Sequence, residues 1–285
     1  MDKLGILLIN KPVGITSFDI IRRLRRITNI KQIGHAGTLD PFAEGLMQIL
    51  VGKATKFAQY LTNYDKSYQV TMQFGIKTDT GDTSGEIIKE SMIEDLIIDP
   101  ILLKEQVEAL TEQVPPIYSA IKVNGQRAYK LARKKADIAM KARPIKVRDF
   151  LLIDYSFPFL TYKCKVSKGT YIRSLTEQIA DMYSTIATTI KLDRLSVSDS
   201  QLSDAVNLDD LTAENWFEYL LPVDRFIEWP VIQLNQAEVD DFWYGREIKL
   251  PKQADAELVI VKHNQETRGI GRVVNSVLQP KKVFK

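Results

Sequence analysis

The apolar positions fall into runs whose periods predict most of the elements. Residues 6–9 are uninterrupted Ile and Leu and predict a buried strand. Turn residues at 10–14 follow, then a helix capped by Thr16 or Ser17, with Ile20, Ile21, Leu24 and Ile27 on one face and Arg22, Arg23, Arg25 and Arg26 on the other. Leu46, Ile49 and Leu50 have helical spacing with Gly52 as a stop, and residues 54–61 predict a second short helix. Tyr68, Val70, Met72 and Phe74 alternate with Gln69, Thr71 and Gln73, the pattern of a half-buried strand. An acidic amphipathic helix is expected within 90–111 and a strand over 117–123. Asn124 and Gly125 give a turn, and a basic helix is expected over 127–135. Strands resume near Pro144, with Tyr162, Cys164 and Val166 inward. A turn at 167–169 then leads into a helix carrying Ile172, Leu175 and Ile179, with Tyr171 and Arg173 in its first turn. Short apolar runs at 257–262 and 271–274 predict a small β-rich appendage. The mixed order of elements argues for an α+β first domain over residues 1–228, with a second domain at 229–285.

At 285 residues and 45% hydrophobic, the chain can bury a large core. One cysteine excludes an internal disulfide, and Cys164 with His35 and His263 cannot supply a zinc site of the usual ligand types. A reducing, cytoplasmic setting is expected, with no metal. No apolar run approaches the ~18 residues of a membrane span, so no membrane association or targeting segment is expected. The net charge of +3 is unevenly spread. Residues 122–148 carry ten Lys or Arg against Asp137, and residues 11–31 carry six against Asp19, whereas residues 199–230 hold eight acids and Arg225 alone. A basic face meeting a polyanion, with the acidic stretch turned away, is one reading of this asymmetry, and solvated helix faces are the other.

Candidate chemistry centres on GHAGTLDPFAEG at 34–45. Gly34 and Gly37 permit a tight loop or a close approach to a ligand. Asp40 before Pro41 is either the cap of a helix that Pro41 opens or a carboxylate displayed for chemistry. The loop DTGDTSGE at 79–86 resembles a calcium loop only superficially, since Gly81 stands at its third position and Ser84 at its sixth.

Five stretches, NKPVGITS (10–17), GHAGTLDPFAEG (34–45), DKSYQV (65–70), PPIYSAIKVNGQRAYKLAR (115–133) and SKGTYIRSL (167–175), together resemble the bacterial tRNA pseudouridine-55 synthase family, of the TruB type, in order and spacing. The resemblance covers residues 1–212, and a weaker similarity to the family's RNA-binding PUA module runs over 231–284. It implies a pseudouridine-synthase fold with a mixed, largely antiparallel central sheet. It also implies isomerisation of the T-loop uridine of tRNA by base flipping, with no cofactor and no obligatory protein partner, by a monomer. Asp40 matches the family's catalytic aspartate, Arg173 the arginine that pairs with it, and Tyr68 the tyrosine that stacks on the target base. Tyr171 and Leu192 match pocket residues, His35 the histidine that replaces the flipped base, and Asp82 an acidic position near the substrate. The family commonly has two basic residues after the leucine; here Asp193 takes the first place and Arg194 remains, leaving one phosphate contact fewer.

Two other classes compete. A carbohydrate-active hydrolase would pair Asp40 with Glu44, four apart on one helix face. A catalytically silent tRNA-binding or folding protein would keep the basic runs and dispense with Asp40, Tyr68 or Arg173, yet all three are present.

Overall fold

Strand β1 (Gly5–Lys11) runs through the interior with almost every side chain buried, and it leads into helix α1 (Ser17–Thr28). Thr16 is the cap. Its hydroxyl accepts from Asp19 N at 3.1 Å, and Asp19 reciprocates by accepting from Thr16 N at 2.9 Å. This leaves Ser17 free for a different partner. The chain, described in a computed structural model over residues 3–123, 125–132, 134 and 139–284, continues through β2 (Ile33–His35), β3 (Glu44–Val51) and β4 (Lys66–Phe74). After helix α2 (Pro100–Glu108) come β5 (Val147–Ser156), β6 (Phe159–Val166), helix α3 (Ile172–Met182), β7 (Ala187–Val197) and the short β8 (Val206–Asn207).

These strands form one mixed sheet in the order β5-β6-β4-β7-β3-β1-β8, with β2 beside β3. Only the β3–β7 and β1–β8 pairs are parallel, so the expected largely antiparallel sheet is present. Helices α1 and α3 cover one face, where Ile20, Leu24, Leu175 and Ile179 pack on Met47, Ile49, Val70 and Met72. On the other face Leu46 and Leu50 meet Phe57, Ile260, Ile270 and Phe284. Ile260 and Ile270 belong to a five-stranded C-terminal sheet, Val231–Gln233, Ala256–His263, Glu266–Val274, Val277–Val283 and Ile248–Lys249, which also has its own interior around Val259, Val261, Phe242 and Leu278. The two bodies thus share a packed seam in which Phe57 contacts Phe284 edge-on.

Residues 46–50 are strand, not helix. A strand buried on both faces reads as a continuous apolar run, and the helical spacing of Leu46, Ile49 and Leu50 is only a subset of that run. Pro41 therefore opens no helix. Asp40 to Ala43 is a turn closed by Ala43 N donating to Asp40 O at 3.2 Å, and proline suits the second position of a turn as well as it suits a helix start. The hydrolase reading falls with the helix, because it needs Asp40 and Glu44 on adjacent helical turns. Residues 117–120 are bends, and the strand there shrinks to Lys122–Val123 paired with Gln126–Arg127. The basic helix is Ala128–Ala132, and the expectations for Asn124, Arg133 and Lys135 lie outside the described residues. The acidic segment is not wholly turned away from the basic runs either: Asp209 pairs with Arg23 of α1 at 2.5 Å.

The glycine with the strongest backbone demand in the GHAGTLDPFAEG stretch is Gly45, not Gly34 or Gly37. It has φ +111°, and a Cβ there would lie 2.4 Å from the carbonyl oxygen of Arg194 on the paired strand. Gly45→Ala is expected to cost at least about 3 kcal/mol in denaturant unfolding. Gly14→Ala, at φ +91° with open space around it, should cost about 1 kcal/mol. Equal costs at the two sites would show that the strand contact is not what demands glycine.

Candidate active site

The site is built where the central sheet parts. Strand β1 pairs with β3 along one edge from Gly45 to Val51. On the other edge β2 pairs with residues 49–51, and β7 meets only Glu44 and Gly45. Among the described residues no strand pairs with the edge of β3 between these two neighbours, and its carbonyls take other donors. Ala36 N donates to Gln48 O at 3.0 Å, and Arg194 Nε donates to Leu46 O at 2.6 Å. The loop 36–43 lies over this gap.

Main-chain contacts from distant segments fix that loop. Arg194, 1% exposed, extends Nη1 to Thr38 O at 3.2 Å and Nη2 to Gly37 O at 3.3 Å. Lys11, fully buried, donates to Ala43 O at 2.7 Å, Pro12 O at 2.8 Å and Pro41 O at 3.4 Å. Burial lowers the Lys11 pKa to about 8, against the opposing pull of Asp40. Ser17 Oγ accepts from Leu39 N and donates to Leu39 O, both at 2.9 Å, and Gly14 N donates to Pro41 O at 2.8 Å. The NKPVGITS and GHAGTLDPFAEG stretches are thus two sides of one structure, with Asp40 held between clamped neighbours. Arg194 is spent on these carbonyls, so it is not available as the remaining basic contact for a phosphate.

Asp40 meets Arg173 at the start of α3, with Arg173 Nε 2.9 Å from Asp40 Oδ2. The guanidinium is 5% exposed and engaged from each of its three nitrogens. Nη1 donates to Thr80 O at 2.7 Å and lies 3.4 Å from Asp82 Oδ2, while Nη2 donates to Tyr118 O at 3.0 Å. Asp82 is itself buried, its Oδ1 accepting from Thr80 Oγ1 and from Ser84 N, each at 2.9 Å. One cation thereby orients two carboxylates, of which only Asp40, with a third of its side chain exposed, can reach a substrate. Burial pushes the Asp40 pKa above the ordinary carboxylate range; Arg173 opposes the rise and Asp82 adds to it.

A raised folded-state pKa has a definite sign in stability. The bound proton stabilises the fold fully below the unfolded-state pKa of Asp40, and that contribution is lost as pH rises through the higher folded value. Asp40→Asn, which cannot ionise, is therefore expected to gain in melting temperature relative to wild type as pH rises from the acid range to neutrality. A difference that stays constant with pH would contradict the burial effect.

The other residues implied by the resemblance sit on β2, β4 and β7 and just before α3. Tyr68 and Leu192 are buried on the adjacent strands β4 and β7, where Tyr68 pairs in register with Arg194 and Leu192 with Val70. Burial raises the Tyr68 pKa, Arg194 opposing, so the phenol stays protonated at neutral pH. Tyr171 precedes α3, its N–H donating to Gln113 Oε1 at 2.8 Å; burial raises its pKa, and the charge of Asp40 contributes to that rise. His35 ends β2, half-buried, and its Nδ1 accepts from Gly37 N at 3.3 Å. Burial first, and the charge of Arg194 second, lower its pKa and keep the ring neutral. Nothing in the sequence marks Lys11 or Ser17 as parts of the site, or Arg194 as anything but a phosphate contact. Their partners are main-chain carbonyls and amides far along the chain, which leave no spacing signature.

Comparison with known proteins gives this geometry its lineage. Residues 25–172 match the model of the TruB family pseudouridylate synthase (N terminal domain). A tRNA pseudouridine synthase B of Clostridium kluyveri is 38% identical, covering 86% of this chain and 85% of that protein. The protein of the same name from Actinobacillus pleuropneumoniae is 32% identical, covering 98% and 95%. The fold is shared with the crystal structure of a Cbf5-Nop10-Gar1 complex at a TM-score of 0.70 and 21% identity, covering 99% of this chain and 85% of that one. On the match of this family model to more than half of the chain, and on relatives 32–38% identical over most of its length, the chain belongs to the TruB family of pseudouridylate synthases.

Proposed function

We propose that the protein is a tRNA pseudouridine synthase that isomerises the T-loop uridine at position 55. The reading is carried by the exposed part of Asp40 beside a buried Arg173, on a loop whose neighbours are fixed by main-chain contacts. The relatives named tRNA pseudouridine synthase B support tRNA as the substrate. In the reaction the N1–C1′ bond breaks, C1′ joins C5, the C5 proton is released and N1 is protonated. Nothing is oxidised or hydrolysed overall, so the protein works without a cofactor, as a cytoplasmic monomer. Among the described residues no helix is long and apolar enough to cross a membrane.

The target base leaves its stack and enters beside Asp40. Tyr68 stacks on it and Leu192 lines the pocket, with Tyr171 on the side of α3. His35 fills the space the base vacates in the T-loop, a role suited to a neutral ring. Asp40 acts as nucleophile at sugar or base, or as the base that removes a sugar proton, and Asp82 assists by holding Arg173. The C-terminal sheet and the basic runs grip the RNA backbone.

The test is release of tritium from an unmodified tRNA transcript labelled at C5 of its uridines, with a chelator present. One equivalent per tRNA is expected. No release by folded protein, or release only after a divalent ion is restored while the RNA stays folded, would overturn the reading.

A further inference from the structure

On the face of β3 opposite α1 and α3, Gln48 interrupts the apolar series of Leu46 and Leu50. It is 3% exposed. Its Nε2 donates to Ser200 Oγ at 3.0 Å, while its Oε1 is buried without a hydrogen-bond partner. An unpaired buried amide oxygen is costly and calls for an explanation. Gln48 forms the floor of a cleft of about 420 Å³, together with Leu8 and Ser200. Tyr64 and Phe226 line its sides, and the exposed residues of the lining are Asp199, Asp204, Glu228 and one cation, Arg225. Among the described residues neither Asp199 nor Glu228 has an ion-pair partner, although both charges act on the Tyr64 phenol, whose pKa rises chiefly through burial.

From this arrangement we propose a second ligand site, separate from Asp40, that takes a small alkyl diamine or polyamine. The rim supplies negative charge for an ammonium, the aromatic and aliphatic walls take a short methylene chain, and Gln48 Oε1 accepts from an N–H at the far end. An anionic ligand or RNA backbone is disfavoured by three carboxylates against one guanidinium. A metal ion is disfavoured because, among the described residues, no group of three His, Cys, Asp or Glu side chains is placed to hold one.

The experiment is calorimetric titration of the full-length, RNA-free protein with 1,4-diaminobutane at constant ionic strength, beside butylamine and 1,4-butanediol. Saturable binding of one diamine is expected, weaker binding of butylamine, and none of the diol. Asp199→Asn with Glu228→Gln should weaken the diamine by about tenfold or more. The single variants are titrated too, and melting curves establish that each is folded. Absent diamine binding, equal binding of the diol, or undiminished affinity in the folded charge variants would overturn the proposal.

Discussion

Asp40→Asn is expected to bind tRNA with little change in affinity and to lose roughly 10³- to 10⁵-fold in single-turnover rate. On the proposed reading affinity comes mainly from cations on phosphates, a contact that a carboxylate does not make. The amide keeps the shape of the carboxylate, and the loop is held through the main chain of residues 37–39, 41 and 43, which the substitution leaves in place. Arg173 retains Thr80 O, Tyr118 O and Asp82, so its position survives too. What disappears, on the proposed reading, is a negative charge and a basic oxygen at the reacting sugar or base. The check is a filter-binding isotherm and a rate at saturating enzyme on the same preparation. A folded variant that binds and turns over near the wild-type rate would place the chemistry elsewhere.

Arg173→Lys is expected to slow the same step by about 10²-fold while tRNA affinity stays nearly constant. A guanidinium serves Asp40 from Nε, Thr80 from Nη1 and Tyr118 from Nη2 in one plane. A lysine keeps the charge but cannot reach three acceptors in those directions, and one of the buried carbonyls or Asp40 itself goes unpaired. The loss should appear in kcat rather than in KM. Arg173→Lys at full rate would mean that charge alone suffices and that the orientation of Asp40 is set by its loop.

The elements most legible in the sequence were those with one buried and one open face. Strand β4 alternates along its length because only one face enters the core, and α1 shows its four arginines on the side away from Ile20 and Leu24. Strand β3 shows no strand period in the sequence because both its faces are covered, one by helices and one by the C-terminal sheet, which erases the alternation that would mark it. The Asp-Pro signal at 40–41 was equally ambiguous, since turns and helix starts use the same residues. The contact between Asp40 and Arg173 came from resemblance and not from spacing: 133 positions separate them, and only the meeting of the loop after β2 with the start of α3 closes that gap. Arg194 illustrates the opposite failure. The resemblance implies a phosphate contact for it, whereas the parting of the sheet leaves Leu46 O, Thr38 O and Gly37 O in need of a donor, and Arg194 supplies it.

Pseudouridine mapping at single-nucleotide resolution, on an unmodified tRNA transcript incubated with the wild-type protein, tests the central claim most directly. The account predicts modification at the T-loop uridine, position 55, and at no other uridine, with Asp40→Asn slower by the same roughly 10³- to 10⁵-fold at matched binding. Modification at a different position, or an intact T-loop uridine after incubation with folded, tRNA-bound protein, would contradict it.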